Sequence, residues 1–199
     1  MPLVFTSGWG SGINAYAVIV MLNLLGRYAG VDAVPESLQS TTVLAIAGGM
    51  FLVEFVTDKI PYVDSAWDTI STIIRPTIGA MLGYLIAGQA DSLDHDQAAW
   101  YAVMGGGVAM TSHLVKAGIR LAVNTSPEPV TNIGLSLGED ITVASVITLA
   151  LYHPWLALAI ATTLLVAGVL LLVVLIRLVR RGWRRWQSRR TSGSESARA

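Results

Sequence analysis

The sequence predicts an all-α integral membrane protein with about six transmembrane helices. Of its 199 residues, 53% are hydrophobic and only 13% are charged, whereas about a quarter of the residues in a soluble domain carry a charge. The hydrophobic residues gather in spans close to the ~20 residues that a helix needs to cross a bilayer. The charged residues are concentrated between these spans or near their ends.

Six apolar spans follow one another along the chain, and a polar tail ends it. The spans are 12–29, 41–60, 76–90, 98–121, 133–152 and 155–177. We therefore divide the chain into a polytopic membrane domain, residues 1–177, and a cytoplasmic tail, residues 178–199, which is basic and then disordered.

Two polar segments, before the third and fifth spans, are predicted to form short half-helices. In DSAWDTISTII (64–74), Asp64 and Asp68 share one helical face, which is typical of an interfacial or re-entrant helix. NTSPEPVTNIG (124–134) is too polar to cross lipid and contains two prolines. We expect both segments to lie at the cytoplasmic interface or to dip into it. The flanking prolines are Pro61, Pro76, Pro127 and Pro129.

The distribution of basic residues predicts the orientation in the membrane. Residues 177–199 hold eight of the 13 basic residues, and such dense basic clusters stay in the cytoplasm. With six spans, both termini are then cytoplasmic, and the basic tail is expected to bind anionic lipids. The other charges agree with this orientation: Lys59, Arg75, Lys116 and Arg120 fall at cytoplasmic ends, and Asp32, Glu36, Asp91, Asp94 and Asp96 fall in the opposite loops.

An internal repeat of helical hairpins is visible in the sequence. AIAGGMFLVEFVTDKI (45–60) is similar to AVMGGGVAMTSHLVKAGI (102–119). SGINAYAVIVMLNLLGRY (11–28) aligns with LGEDITVASVITLALYH (137–153), with Asn14 opposite Asp140. In the predicted topology, the matched hairpins point the same way across the membrane. Apolar helices also match easily by chance, so internal duplication and chance similarity both stay open at this point.

Charged residues concentrate in EFVTDKIPYVDSAWDTISTIIRP (54–76), which we take as the centre of the functional site. Glu54 and Asp58 are four residues apart and share one helical face, and a histidine and two bases share a face of the fourth span in the same way. Two adjacent acids and an asparagine near the starts of the fifth and first spans complete the site. The predicted polar site comprises Glu54, Asp58, Lys59, Asp64, Asp68, Arg75, His113, Lys116, Arg120, Glu139, Asp140 and Asn14.

Each of these charges has a functional and a structural interpretation, since a charge inside the membrane is costly unless it is paired or hydrated. The functional interpretation is an ion or proton relay, or a site for a polar solute. The structural interpretation is a set of salt bridges that locks helix 2 to helix 4, with Lys116 and Arg120 reaching toward headgroups. We favour the structural interpretation for these two bases and the functional one for Glu54. For Glu139 and Asp140, stabilisation by the helix dipole accounts for one of the two acids.

The sequence gives no indication of an enzyme. Without cysteine, disulfides, thiolate metal sites and cysteine nucleophiles are excluded. The chain has no GxSxG, HExxH, P-loop or dinucleotide-binding motif. Its acids suit hard cations such as magnesium or calcium, but no loop has a specific ligand spacing. We therefore predict no catalytic residue, no metal, no cofactor and no nucleic-acid partner.

The string E…DKIP…DS…D…IRP within residues 54–76 is the most specific part of a wider resemblance. Together with the segments at 11–28 and 132–158, it is similar to a family of bacterial membrane proteins catalogued as domain of unknown function 4126. The resemblance covers about residues 8–177. It implies a polytopic helical protein of a bacterial inner membrane, and it supplies no catalytic residue, substrate or cofactor.

Three functions fit these observations. The first is a small transporter or channel-like protein for an unknown small solute or ion, with the acid-rich site on its cytoplasmic half. The second is a non-transporting membrane scaffold in which the same charges form interhelical salt bridges. The third is a lipid-handling protein in which Arg75, Lys116 and Arg120 hold a phosphate headgroup. A homo-oligomer is compatible with each.

Overall fold

The computed structural model describes residues 1–60, 62–89, 93–124 and 129–196, except for the side chains of residues 129, 182 and 184–196. Within this part of the chain there are six α-helices, one short 3-10 turn and no strand. The helices are α1 Pro2–Ala29, α2 Thr41–Thr57, α3 Val63–Ala87, α4 His95–Val123, α5 Pro129–Tyr152 and α6 Pro154–Ser196, and the turn is Glu36–Gln39. The predicted all-helical architecture is confirmed.

Helix α1 lies at the centre of the bundle and is broken at Asn14. It packs against each of the other five helices. Asn14 has non-helical backbone angles, φ −149° and ψ 95°, and they divide α1 into a first half-helix, residues 2–13, and a second half-helix, residues 15–29. The Asn14 Oδ1 atom accepts a hydrogen bond from the Ala17 N–H at 2.9 Å and so caps the second half-helix.

The predicted start of the first span, residue 12, was wrong because the first half-helix contains many small and polar residues. Its serines, threonine and glycines are buried against other helices, so they meet protein in place of lipid. Hydropathy alone cannot distinguish such a segment from a loop, since small and polar residues are what close helix packing in membranes uses.

Helices α3 and α4 make the most extensive contact in the bundle. A Cβ atom at Gly79 would overlap the backbone carbonyl of Gly105, and a Cβ at Gly105 would overlap the carbonyl of Gly79. Both positions therefore need glycine for the helices to approach this closely. By contrast, Gly48 and Gly49 of α2 face open space.

The polar segment before the third span is part of α3 and is not a separate half-helix. Helix α3 runs without interruption from Val63 to Ala87, with Pro76 inside it. Asp64 and Asp68 do share one face, as predicted, and that face is buried, whereas the side chain of Ile73 is 77% exposed. A helix with its polar face inside and its apolar face outside suits a lipid surround. The prediction of a separate half-helix over residues 64–74 was wrong, because this segment continues into the rest of α3.

The second predicted half-helix lies partly outside the described residues. Pro129 begins α5, a position that tolerates proline because the first N–H groups of a helix have no partner within it. Residues from Val130 onward continue as ordinary helix. Pro61, Asp91 and Pro127 lie outside the described residues.

Four of the described helices are long and apolar enough to cross a bilayer, namely residues 2–29, 63–87, 130–152 and 154–181. Helix α2 has only 17 residues, and α4 carries buried charges in its second half. The chain is thus an apolar, membrane-type helical protein, and the count of six spans stays a prediction. Helix α6 continues to Ser196, and the predicted disorder of the tail also stays a prediction.

Candidate functional site

The charged residues of the predicted polar site come together in the interior, where α2, α3, α4 and α5 approach α1. We call this assembly the charge network. Every base in it, and every acid from α2 and α3, has a side chain that is at most 5% exposed. The network comprises Arg75, Lys116 and Arg120 with Glu54, Asp58, Asp64, Asp68, Glu139 and Asp140.

The first part of the network is the Arg75 cluster, which consists of Arg75, Glu54, Asp68 and His113. The Arg75 guanidinium donates from Nη2 to Glu54 Oε1 at 2.5 Å, and its Nη1 lies 3.0 Å from Asp68 Oδ1. The same Nη1 approaches the Gly12 carbonyl at 3.3 Å. One buried cation of α3 thereby contacts acids of α2 and α3 and the backbone of α1.

His113 of α4 closes the Arg75 cluster. Its Nδ1 atom lies 2.9 Å from Arg75 Nη1, and because a guanidinium can only donate, Nδ1 is the acceptor. In the neutral ring the proton is therefore on Nε2, which donates to Thr72 Oγ1 at 2.9 Å. Thr72 in turn donates to the Asp68 carbonyl at 3.0 Å. Both ring nitrogens of the histidine are thus used within the bundle.

The second part is the Lys116 cluster, which consists of Lys116, Arg120, Asp58, Asp64 and Glu139. Three oxygen atoms surround the Lys116 ammonium: Asp58 Oδ2 at 2.6 Å, the Ile13 carbonyl at 2.8 Å and Glu139 Oε2 at 3.5 Å. The contacts to Asp58 and Ile13 are hydrogen bonds, and the contact to Glu139 is a longer ion pair.

Arg120 lies one helical turn beyond Lys116 and binds four groups. Its Nη2 donates to Glu139 Oε2 at 2.6 Å. Its Nη1 donates to the Asp58 carbonyl at 2.8 Å and to Asn132 Oδ1 at 2.9 Å, and lies 3.6 Å from Asp64 Oδ2. Arg120 therefore joins the ends of α2 and α4 to the start of α5.

The break in α1 meets the charge network. The carbonyls that end the first half-helix accept from the protein's own cations: Gly12 from Arg75 and Ile13 from Lys116. These cations complement the partial negative charge at a helix C-terminus. On the other side of the break, Asn14 Nδ2 donates to Asp140 Oδ1 of α5 at 2.9 Å. Asn14 and Asp140, the two residues that the repeat alignment places opposite each other, are thus in direct contact.

The network contains more acid than base. Six carboxyl groups face three bases, or four if Lys59 at its edge is counted. Several buried carboxylate oxygens receive no hydrogen bond from any described residue, among them Glu54 Oε2, Asp58 Oδ1 and Asp140 Oδ2. Because uncompensated charge is costly in the interior, the site favours the uptake of protons or other cations.

Not every predicted residue or pairing lies where the sequence placed it. Lys59 is at the edge of the network. Its Nζ donates to the Phe55 carbonyl at 2.8 Å and makes a cation–π contact with the Phe55 ring. The structural interpretation would have paired Glu54 with Lys116 or Arg120. Glu54 pairs with Arg75 instead, because α3 brings that residue against the inner face of α2. The predicted bridge between helices 2 and 4 does exist, but Asp58 is the acid that forms it.

Two asparagines of the site were missed. Asn124 continues the polar face of α4 four residues after Arg120 and donates to Asp64 Oδ1 at 2.8 Å. Extending the helical spacing by one step would have found it. Asn132 donates to the Asp58 carbonyl at 3.1 Å, and it was obscured because its segment was assigned to a half-helix.

A cavity of about 390 Å³ adjoins the Lys116 cluster. We call it the side cavity; it lies between α1, α4, α5 and α6. Its wall is mostly apolar, and Lys116 and Glu139 form its charged end. The side chain of Glu139 is 16% exposed, compared with 3% for Lys116 and Asp58. The Lys116 cluster can therefore be reached from this cavity through Glu139.

Among the described residues, no group of three or more histidine and acid side chains is arranged to hold a metal ion. The arrangement suits ion pairing, proton uptake and the binding of a cationic group instead. No curated protein and no solved structure matches the chain. A family model, described as domain of unknown function (DUF4126), matches residues 1–174 and so includes every member of the charge network. The chain therefore belongs to the DUF4126 family.

Proposed function

We propose that the protein is a small membrane transporter or channel-like protein and that the charge network is its working part. The observation that carries the proposal is the break of α1 at Asn14, in the middle of the bundle and in contact with the network. Broken helices at membrane depth expose backbone groups that a continuous helix would use internally, and transporters form substrate and ion sites from such ends.

The excess of acid over base supports a cation or proton as the moving species. In many transporters, carbonyls at the end of a half-helix coordinate the coupling ion. Here the carbonyls of Gly12 and Ile13 bind Arg75 and Lys116, so two tethered cations occupy that place. A mobile cation or proton would then act on the carboxyl groups that these bases leave without a donor.

The orientation belongs to the same proposal. With both termini in the cytoplasm of a bacterial inner membrane, the start of α3 and the start of α5 face the cytoplasm, and the solute enters the network from that side. A C-terminal reporter enzyme that is active only outside the cytoplasm should then stay silent. Activity of that reporter would reverse the direction of entry.

A membrane scaffold is the second candidate, and a specific observation favours it. Each of the three network bases already contacts at least one carboxylate, at 2.5 Å for Arg75 and 2.6 Å for Lys116 and Arg120. The network could then serve only to hold the helices together. The same contacts weaken the third candidate, since a phosphate headgroup would have to displace these acids from side chains that are at most 3% exposed.

Complementation of a deletion strain, combined with stability measurements in detergent, separates transport from scaffolding. Glu54→Gln keeps the shape of the side chain but removes its charge. We expect a folded, inserted protein that no longer complements. The neutral triple variant Glu54→Gln, Asp68→Asn, Arg75→Met should be about as stable as the wild type, since whole buried ionic groups can often be replaced at little cost, and it should also fail to complement.

The scaffold makes the opposite prediction for the triple variant. If the network only holds helices together, Glu54→Gln should lose stability and complementation, and the triple variant should recover both. Recovery of both would overturn the transport proposal. The matched control is Glu36→Gln, which changes an exposed acid in the turn before α2 and should complement fully.

A further inference from the structure

The side cavity has the features of a binding site for a small amphipathic molecule. A volume of about 390 Å³ lies within the range of small-molecule sites. Apolar side chains from three helices form most of its wall, including Ile119, Leu135 and Leu164. The glycines of α5 that face it, Gly134 and Gly138, have no atom within 4 Å of where a Cβ would lie. The space therefore results from small residues on α5.

The charged end of the cavity selects the charge of the ligand. Lys116 donates hydrogen bonds to Asp58 Oδ2 and to the Ile13 carbonyl and lies 3.5 Å from Glu139 Oε2, so an anion at this end would compete with these oxygens and meet the Glu139 carboxylate. Glu139 differs, because both bases contact its Oε2 atom. No described residue donates a hydrogen bond to its Oε1 atom. This oxygen belongs to the accessible side chain of the cluster and can accept a hydrogen bond from a ligand.

Two further features favour a cation. The surrounding network has more carboxyl groups than bases, so its field attracts positive charge. Trp9 also lines the cavity, and tryptophan is the aromatic residue that holds organic cations best. An anionic headgroup would face the same excess of carboxyl groups.

We infer that the side cavity binds a primary organic ammonium ion with an apolar body, with Glu139 as its counter-ion. The ammonium group donates to Glu139 Oε1, and the body lies among the apolar side chains of α4, α5 and α6. If the transporter also moves this ammonium ion as its substrate, that step rests on the proposed function. Binding itself can be measured without transport.

The test uses the purified full chain in nanodiscs and three ligands of matched shape. These are 4-phenylbutylammonium, 4-phenylbutanol and 4-phenylbutanoate, titrated by calorimetry. A charge-assisted hydrogen bond should make the ammonium bind about tenfold more tightly than the alcohol. The carboxylate should bind more weakly than either. Equal binding of the ammonium and the alcohol would show that the cavity takes any apolar molecule, lipid tails included, and would overturn the inference.

Two variants locate the ligand. Glu139→Gln should reduce the affinity for the ammonium to that for the alcohol. Gly138→Leu fills the cavity and should abolish the binding of both ligands. Gly107→Leu is the matched control, since Gly107 also faces open space but does not line the cavity. Ammonium binding that survives Gly138→Leu would place the ligand elsewhere and contradict the inference.

Binding and transport can fail separately. If the ammonium binds as expected but proteoliposomes show no flux of it and the deletion strain shows no dependence on Glu54, the cavity site stands and the transport proposal fails. If flux of another solute is found and the ammonium does not bind, the transport proposal stands and this inference fails. Should Glu139→Gln not fold, the three wild-type titrations and Gly138→Leu decide the question.

Discussion

The Arg75 cluster and the Lys116 cluster are built from the same kinds of side chain, yet they differ in access and in redundancy. The Arg75 cluster holds two acids with one base, and its side chains are at most 5% exposed. The Lys116 cluster holds three acids with two bases. One of its acids, Glu139, lines the side cavity.

This difference indicates which cluster can respond to a ligand. In the Arg75 cluster a single guanidinium holds both acids, so any movement of it exposes two buried charges at once. In the Lys116 cluster, Asp58 and Glu139 each contact both bases. One base can therefore release an acid while the other still holds it. The first cluster suits a rigid anchor, and the second suits an exchange of partners.

The largest effect should come from removing the single base of the anchor. Arg75→Met leaves Glu54 and Asp68 buried without their cation, and breaking a buried ion pair in this way costs about 3–5 kcal/mol. We expect the free energy of unfolding, measured by denaturant titration in mixed micelles, to fall by about that amount. The neutral triple variant described above is the control and should be close to wild type. A stable Arg75→Met protein would show that the cluster is not an anchor.

Removal of one of the two bases of the other cluster should cost less. In Lys116→Met, Arg120 still contacts Asp58 and Glu139, so the loss should be about 1–3 kcal/mol, the range for leaving buried polar groups without a partner. The same denaturant titration measures this loss in the free energy of unfolding. Lys59→Met is the matched control, since Lys59 has no carboxylate within ion-pair distance among the described residues, and its effect should be about 0.5 kcal/mol or less. Equal losses for Arg75→Met and Lys116→Met would remove the distinction between the clusters.

The difference in access can be measured with almost no effect on stability. The chain has no cysteine, so single cysteines report local access without interference. A cysteine at Gly138, which faces the side cavity, should react with a small permeant thiol reagent at least about tenfold faster than one at Ser71, which is buried beside the Arg75 cluster. Ser37→Cys, at an exposed position, gives the upper limit of the rate. Similar rates at Gly138 and Ser71 would mean that the side cavity is closed in the membrane.

The helical faces of the site could be predicted from the sequence because they depend on local geometry. Residues three and four apart share a face in any α-helix, so the grouping of Glu54 with Asp58, and of His113 with Lys116 and Arg120, needed no knowledge of the fold. All five of these residues are buried. Composition likewise sufficed for the all-helical, membrane-type architecture.

The pairing of acids with bases could not be predicted, because it depends on which helices touch. Glu54 pairs with Arg75, a residue only 21 positions away along the chain, after a turn whose direction no local rule specifies. The break in α1 was hidden for another reason. Its first half-helix is surrounded by protein, so it lacks the hydrophobicity that lipid contact would require. A hydropathy pattern therefore places it outside the first span.

The central place of α1 has a consequence for how the protein is made. This helix leaves the ribosome before the five helices that surround it, and at that moment Asn14 has neither Asp140 nor any other distant partner. At a rise of 1.5 Å per residue, the first half-helix is about 18 Å long, too short to cross a hydrocarbon layer of about 30 Å by itself. Its final position therefore has to wait until α4 and α5 supply the surface on which its glycines pack. The half-helix that precedes α4 and α5 in the chain thus reaches its final position only after both of them have been made.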